Sequence, residues 1–304
     1  MWFRNLHFYQ FVDPVAITEE TLLEKLEPQR FQPCGRQAKE AVGWVSPLHR
    51  NQETLVYTAN GCLLFCMRRE QKVIPPSTVN EALEERIEQV ELEQGRQVFR
   101  KERQQFKEDI MALLMPQAFT RATHIHGYID TRNGFLVVNA GSHAIADTFI
   151  SLLIDSLGVL GAVKLTATEN PAQVMNRWLV DGLPEFFSPS GEYELKDPVD
   201  ERIARFKNNE SDFQVIQDLI ADGFWVSKLG LQFQEQLKCT LHDDLQLKGV
   251  KFSEQLLNQN DEMEIEDAAA KFDADFVLMS ESLAELYEAI VSLFVTAEEP
   301  GVNQ

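Results

Sequence analysis

Four cations, Arg96, Arg100, Arg103 and Lys107, stand at spacings of four, three and four residues. At about 100° per residue these positions fall within an arc of roughly 60° on an α-helix. They would draw a positive line roughly 16 Å long, at about 1.5 Å rise per residue. The acids nearest in sequence, Glu102 and Glu108, fall elsewhere on the helical wheel. A face built only for solubility mixes both signs, so the pattern predicts contact with a polyanion. The chemistry on offer is phosphate-backbone binding, which brings affinity without reading sequence. Four cations are few for that task. Further candidates are Arg68, Arg69 and Lys72 at a strand end, Arg121 and Arg132 around a hairpin, and Arg205 and Lys207 beside Asn208-Asn209.

A second constellation could hold a metal. His124 and His126 share one face of a strand, and Asp130 follows on the same face. A metal-dependent hydrolase is therefore the rival reading from another function class. The spacing lacks a third histidine or an E-x-x-H, however, and a cleft-lining pair of imidazoles explains it without metal. Asp273-Ala-Asp275 and the run Asp261–Asp267 lack the calcium-loop pattern and read as an acidic helix face. No Walker, dinucleotide or nucleophile-elbow motif occurs, so the chain is read as a binding protein and not an enzyme, with no cofactor and no metal.

Charge sharpens this reading. The 304 residues carry a formal net charge of −20. From Ser253 onward there are 13 Asp/Glu against Lys271 alone, which places −12 of that total in the last segment. Between Gln94 and Arg121 six Arg/Lys face three acids, a local +3. The local field, not the global one, indicates the partner. An acidic protein-binding scaffold remains a third reading. No run of 18 apolar residues exists and the opening residues lack a signal-peptide pattern, so a cytosolic protein with no membrane partner is expected. Cys34, Cys62, Cys66 and Cys239 give no disulfide framework: on a strand Cys62 and Cys66 would stand about 13 Å apart.

The elements that must position these residues follow from periodicity. An opening strand over Trp2–Phe11 leads to a helix capped by Thr18. Short strands follow near Gly43–Val45 and Thr54–Thr58, and Asn60-Gly61 turns the chain into a strand ending at Arg68-Arg69. From Ser77 to about Leu114 the pattern is helical, broken near Gly95, with thin apolar stripes that suggest a protruding arm. A hairpin pairs Thr123–Asp130 with Gly134–Ala140 through a type I′ turn at Asn133-Gly134. Helices are predicted over His143–Leu157, after Asn170-Pro171, and over Phe213–Ala221, with a strand near Val163–Leu165. Pro184–Pro198 reads as a loop or boundary, and Phe224–Phe252 as a sheet. Two acidic helices close the chain, the last capped by a box at Ser282 and Glu285. The class is α+β, with antiparallel sheets, packed helices and a helical arm. The expected division is a central α+β domain from 1–75 and 119–165, the arm at 76–118, and a base α+β domain at 166–304. Phe119, just past Pro116 at the arm's extremity, is either an association residue or docked back on the hairpin.

Several short segments, in order, resemble the RdgC family of recombination-associated proteins. They are Trp2-Phe3-Arg4-Asn5-Leu6, Phe31-Gln32-Pro33-Cys34-Gly35, Gly43-Trp44-Val45-Ser46-Pro47 and Ala59-Asn60-Gly61. The series continues with Leu113-Leu114-Met115-Pro116-Gln117-Ala118-Phe119, Ile129-Asp130-Thr131-Arg132-Asn133-Gly134 and Phe272-Asp273-Ala274-Asp275-Phe276. The resemblance implies a cytoplasmic, nucleoid-associated protein that binds duplex DNA without marked sequence preference and restrains the RecA recombinase. It implies a homodimer of two horseshoe-shaped subunits closed into a ring, with a basic inner wall. On this likeness Phe119 matches the aromatic at the tip contact. Arg96, Arg100, Arg103 and Lys107 match basic tip positions, and Lys207 a basic position in the second half. Gln97 and Phe99 stand where relatives can be basic.

Overall fold

Alternation of apolar residues that are buried on both sides dominates the strands, and it produces one broad sheet with helices on its two faces. In the computed structural model, residues 1–48, 53–207, 213–258 and 268–295 are described. The acidic run Asp261–Asp267 and the pair Asn208-Asn209 lie outside them. The first half comprises β1 (Leu6–Phe11), α1 (Glu19–Leu26), β2 (Glu40–Val45), β3 (Val56–Ala59) and β4 (Cys62–Val73). Next come α2 (Pro76–Gln94), α3 (Arg100–Leu114), β5 (Phe119–Asp130), β6 (Phe135–Asn139), α4 (His143–Leu157) and β7 (Ala162–Lys164). The second half holds α5 (Pro171–Asp181), β8 (Phe187–Lys196), β9 (Ile203–Lys207), α6 (Phe213–Ala221), β10 (Trp225–Phe233), β11 (Leu237–His242) and β12 (Leu247–Phe252). Two helices, α7 (Glu254–Asn258) and α8 (Ala268–Phe294), complete it.

Among the described residues all twelve strands join one sheet through antiparallel pairings, in the order β2-β4-β5-β6-β1-β12-β11-β10-β8-β9, with β3 on β4 and β7 on β1. The α+β class with a large antiparallel sheet is thus as the sequence indicated. Two cores lie on opposite faces. Leu63, Phe65, Met67, Ile129, Leu136 and Val138 point toward α1 and α4. Their strand neighbours Cys62, Leu64, Tyr128, Phe135 and Val137 point toward α8, with the second half of the sheet. The halves meet along a thin seam, where β1 and β12 share the single register pair Leu6↔Leu247. Helix α8 spans this seam. Its Tyr287 stacks on Phe135 at 4.3 Å, and its Phe294 meets Trp178 of α5 at 5.2 Å.

The ribbon of β4 and β5 carries the arm. These strands pair without interruption from Cys62↔Asp130 to Val73↔Phe119. Their near halves are core, while residues 119–124 of β5 are all exposed. Helices α2 and α3 are inserted between Val73 and Phe119, and neither core includes any of their residues. Val79, Leu83 and Val90 are buried between them, and α3 has no buried residue. Arg86 lies 5.6 Å over the Phe106 ring.

Local signals explain the agreements and the departures. Asn60 (φ 49°) and Gly61 (φ 74°) form the two left-handed positions of a type I′ turn. At the β5–β6 hairpin the predicted type I′ turn is replaced by a four-residue loop, Thr131–Gly134. There only Gly134 has positive φ, at 70°. Buried Asp130 causes this: its carboxylate accepts the Arg132 and Asn133 N–H groups at 2.9 and 3.0 Å and the Asn133 amide at 2.9 Å. The stretch expected to be a loop at Pro184–Pro198 contains β8. Its pairing with β10 shifts register opposite Gly230, so the strand bulges through Ser190, Gly191 (φ 83°) and Glu192, between the pairs Leu231↔Pro189 and Leu229↔Tyr193. Ser282 does not start a helix. It lies buried inside the continuous 27-residue α8, where apolar periodicity carries through the capping motif.

Candidate nucleic-acid interface

The predicted basic line does not run along one helix. Gly95 ends α2 in the left-handed conformation (φ 63°), and α3 begins only at Arg100, so Arg96 sits in the elbow between them. The separation from Glu102 that the wheel implied is also absent. Arg96 donates from both terminal nitrogens to the Glu102 carboxylate, at 2.7 and 2.8 Å. Glu102 is the third residue of α3, and it also accepts the Phe99 N–H at 3.1 Å, capping the helix. The Arg96 hydrogen bonds first, and the Phe99 N–H second, hold the Glu102 carboxyl down to about 2. Glu91 ties the other side of the elbow by accepting the Val98 N–H at 2.9 Å.

What remains on α3 is a cluster of four cations. Arg100, Lys101, Arg103 and Lys107 line a groove of about 710 Å³ together with Gln104 of the same helix and Asn80 and Leu83 of α2. All four are exposed. Among the described residues none of them forms a salt bridge, in contrast with Arg96. The remaining α3 acids are engaged elsewhere: Glu108 accepts from Gln104 at 2.8 Å and Asp109 from Gln105 at 3.0 Å. Helix α2 carries six acids against Arg86, so the arm's positive potential is confined to this face of α3. Lys101 counts toward the local +3 but was not placed in the basic line, because it lies well off the spacing of the other three. Its signal was adjacency to Arg100 at a helix start, visible only once the start is fixed at Arg100.

The other predicted cations divide in the same way. Arg121 is exposed on β5, opposite Gln71, and forms no salt bridge among the described residues. Phe119 lies two residues away on the same strand face and is 88% exposed. Its neighbour across the ribbon, Val73, is exposed too. Phe119 is therefore not docked back on the hairpin. Arg132 instead belongs to a turn: it donates to Asn60 Oδ1 at 2.8 Å, lies 3.8 Å from Asp130, and covers Gly61. A Cβ at Gly61 would meet its side chain at 2.9 Å. Arg205 pairs with Glu194 at 2.7 Å and Lys207 with Glu192 at 3.2 Å. Burial raises the Glu194 carboxyl, but hydrogen bonds from Lys228, Arg205 and Ser227 outweigh it and bring it down to about 2. At the ribbon, Arg68 pairs with Glu70 and Arg69 with Glu40, and Lys72 donates to the Met115 carbonyl at 2.8 Å, fastening the foot of α3.

The histidine constellation is not assembled as a metal centre. His126 is largely buried, and burial pushes it down to about 4. His124 is exposed, and the Asp130 carboxylate is already used by its own loop. Among the described residues no three His, Cys, Asp or Glu side chains come together in a way that could hold a metal ion. Burial likewise pushes the Cys62, Cys66 and Cys239 thiols up to about 12, which makes them inert packing groups.

A match to one protein family extends over residues 1–297, and that family is described as "Putative exonuclease, RdgC". The chain belongs to the RdgC family. It is 39% identical over 292 residues to the recombination-associated protein RdgC of Aeromonas hydrophila, covering 95% of this chain and 96% of that one. The RdgC of Tolumonas auensis is 37% identical over 295 residues, covering 96% and 97%. That of Salmonella paratyphi B is 34% identical over 294 residues, with the same coverage. The likeness inferred from short segments thus extends along nearly the whole chain. Among the described residues no helix is long and apolar enough to cross a membrane.

Proposed function

We propose that this RdgC-family chain is a cytoplasmic, nucleoid-associated protein that binds duplex DNA without sequence preference and restrains RecA-mediated recombination. It acts as a homodimer of horseshoe-shaped subunits that closes into a ring around the duplex. The central, arm and base division expected from the sequence supplies the parts of that ring, and catalysis plays no part. One observation carries the reading. In a chain of net charge −20, four cations of α3 face solvent together with no carboxylate of the described residues holding them. Such a face has no structural task, since α3 buries no residue and its cations brace nothing. Phosphates are its natural complement. Phe119, exposed beside Arg121 at the ribbon's end, supplies an aromatic anchor for the second protomer. The name of the relatives, recombination-associated protein, agrees with a role on DNA.

The test is a duplex-binding titration at several salt concentrations. Arg100, Lys101, Arg103, Lys107 and Arg121 from two protomers would neutralise ten phosphates, giving a slope of log K against log salt of about −9. Replacing Arg100, Lys101, Arg103 and Lys107 by Ala removes eight of those contacts and should flatten the slope by about 7. An unchanged slope removes α3 from the mechanism. Retention of no DNA by the parent protein at about 20 mM salt favours an acidic protein-binding scaffold instead. In the same samples, end-labelled duplex should keep its length when Mg²⁺ is present; shortening would restore the exonuclease of the family's description.

A further inference from the structure

We propose that Glu102 stands in for a DNA phosphate within the arm, holding Arg96 out of the nucleic-acid contact so that only the cations from Arg100 onward engage the backbone. This inference rests on the duplex-binding reading and deepens it by separating one matching basic position from the others. Three observations support it. The Arg96–Glu102 bond is two-pronged, at 2.7 and 2.8 Å, the geometry by which a guanidinium also grips a phosphate. Glu102 cannot simply swing away, because it also accepts the Phe99 N–H that opens α3. Arg96 is further restrained by the Phe99 ring, 5.8 Å beneath its guanidinium carbon. A pair fixed in this way is electrically neutral toward an approaching duplex. If phosphate displaced Glu102, the freed carboxylate would itself lie beside the DNA backbone, so the exchange gains little.

The counterion count makes the idea measurable. A paired Arg96 releases no counterion on binding, whereas a freed one contributes about −0.9 to the salt slope, or about −1.8 for two arms. Glu102→Gln keeps an acceptor for the Phe99 N–H while removing the charge that masks Arg96. The expected result is a slope steeper by about 1.8, which between 200 and 50 mM salt tightens binding about 12-fold more than in the parent. Glu108→Gln removes one α3 charge of the same sign at a site with no cation bound. It serves as the control for a mere change of net charge. Arg96→Gln combined with Glu102→Gln exchanges one neutral pair for another and should restore the parental slope. The inference is overturned if that double variant flattens the slope by about 1.8, since Arg96 would then already be meeting phosphate. It is equally overturned if Glu108→Gln steepens the slope as much as Glu102→Gln does. Thermal melts of each variant confirm that α3 is intact. Absence of binding by the parent protein overturns the duplex reading itself, a result distinct from either of these.

Discussion

The cations of this chain are sorted by what sits beside them, and residue type alone does not reveal the sorting. Arg96, Arg132, Arg205 and Lys207 are each held by a carboxylate, while Arg100, Arg103, Lys107 and Arg121 form no salt bridge among the described residues. The sequence made all eight visible as candidates. It hid the pairing of Arg205 and Lys207, because their partners Glu194 and Glu192 lie on a neighbouring strand read as a loop. It hid that of Arg96 for another reason: a helical wheel presumes a helix, and Arg96 is not in one. Asp130 illustrates the reverse error, a potential metal ligand that proves to be a turn former. It is fully buried and takes three hydrogen bonds from its own loop. Asp130→Ala should therefore cost about 3 kcal/mol, read as a lower urea midpoint with unchanged slope. Asp130→Asn, which keeps an acceptor, should cost less. A cost below about 0.5 kcal/mol for the alanine variant would show that the loop holds itself.

Among the elements, those with their own end signals were legible. Helix α4 and helix α6 lie where periodicity placed them, and Asn170 caps α5 by accepting the Ala172 N–H at 3.0 Å. Strand β8 was obscured because Ser190 and Gly191 serve a bulge and Pro189 borders it, so that turn-type residues occur inside a sheet. The capping motif at Ser282 misled in the opposite sense, since tertiary burial of α8 overrides a local stop. The ribbon of β4 and β5 carries its own prediction. Its last register pair, Val73↔Phe119, presents an exposed apolar face that costs free energy unless a partner covers it. If that partner is a second protomer, Phe119→Ser should weaken self-association about 30-fold, the loss of about 2 kcal/mol usual for an aromatic anchor. Sedimentation at low concentration would register the shift toward monomer, with thermal stability unaltered. A sedimentation profile matching the parent's at every concentration would locate the contact elsewhere.

At the scale of the whole molecule, the two halves of the sheet depend on polar contacts at their seam as well as on α8. His7 of β1 is 2% exposed, lies 2.6 Å from the Gln246 amide across the seam and 3.1 Å from the Ala140 carbonyl, and its ring meets that of His143 at 4.9 Å. Burial first, and the neighbouring His143 second, push His7 down to about 4 from an ordinary 6.5. Its neutral form is thus favoured in the folded chain, whereas the unfolded chain takes up the proton below 6.5. Stability is untouched above pH 6.5 and falls as pH drops from 6.5 toward 4, by about 3 kcal/mol for this one residue. His126 and His242, also pushed down to about 4 by burial, act with the same sign. The favourable contribution of Glu194, whose carboxyl is lowered to about 2, is lost only at lower pH, between 4.5 and 2. Urea midpoints should hold from pH 7.5 to about 6.5 and then fall toward pH 4.5, and a flat profile across the lower range would contradict the neutral imidazoles.

That the arm enters and leaves through two residues already paired with each other, Val73 and Phe119, has a practical corollary. The 45 residues at 74–118 lie between two directly paired strand positions, as a hairpin turn would, and contribute nothing to either core cluster. Excising positions 74–118 and rejoining the strands with Asn-Gly should leave a chain that still folds cooperatively, since a two-residue turn suits this antiparallel register. On the duplex-binding reading proposed above, such a truncated protein would keep its cores and lose most of its phosphate contacts, making the grip a detachable module. Failure of the shortened chain to fold would instead mean that the arm braces the ribbon from above.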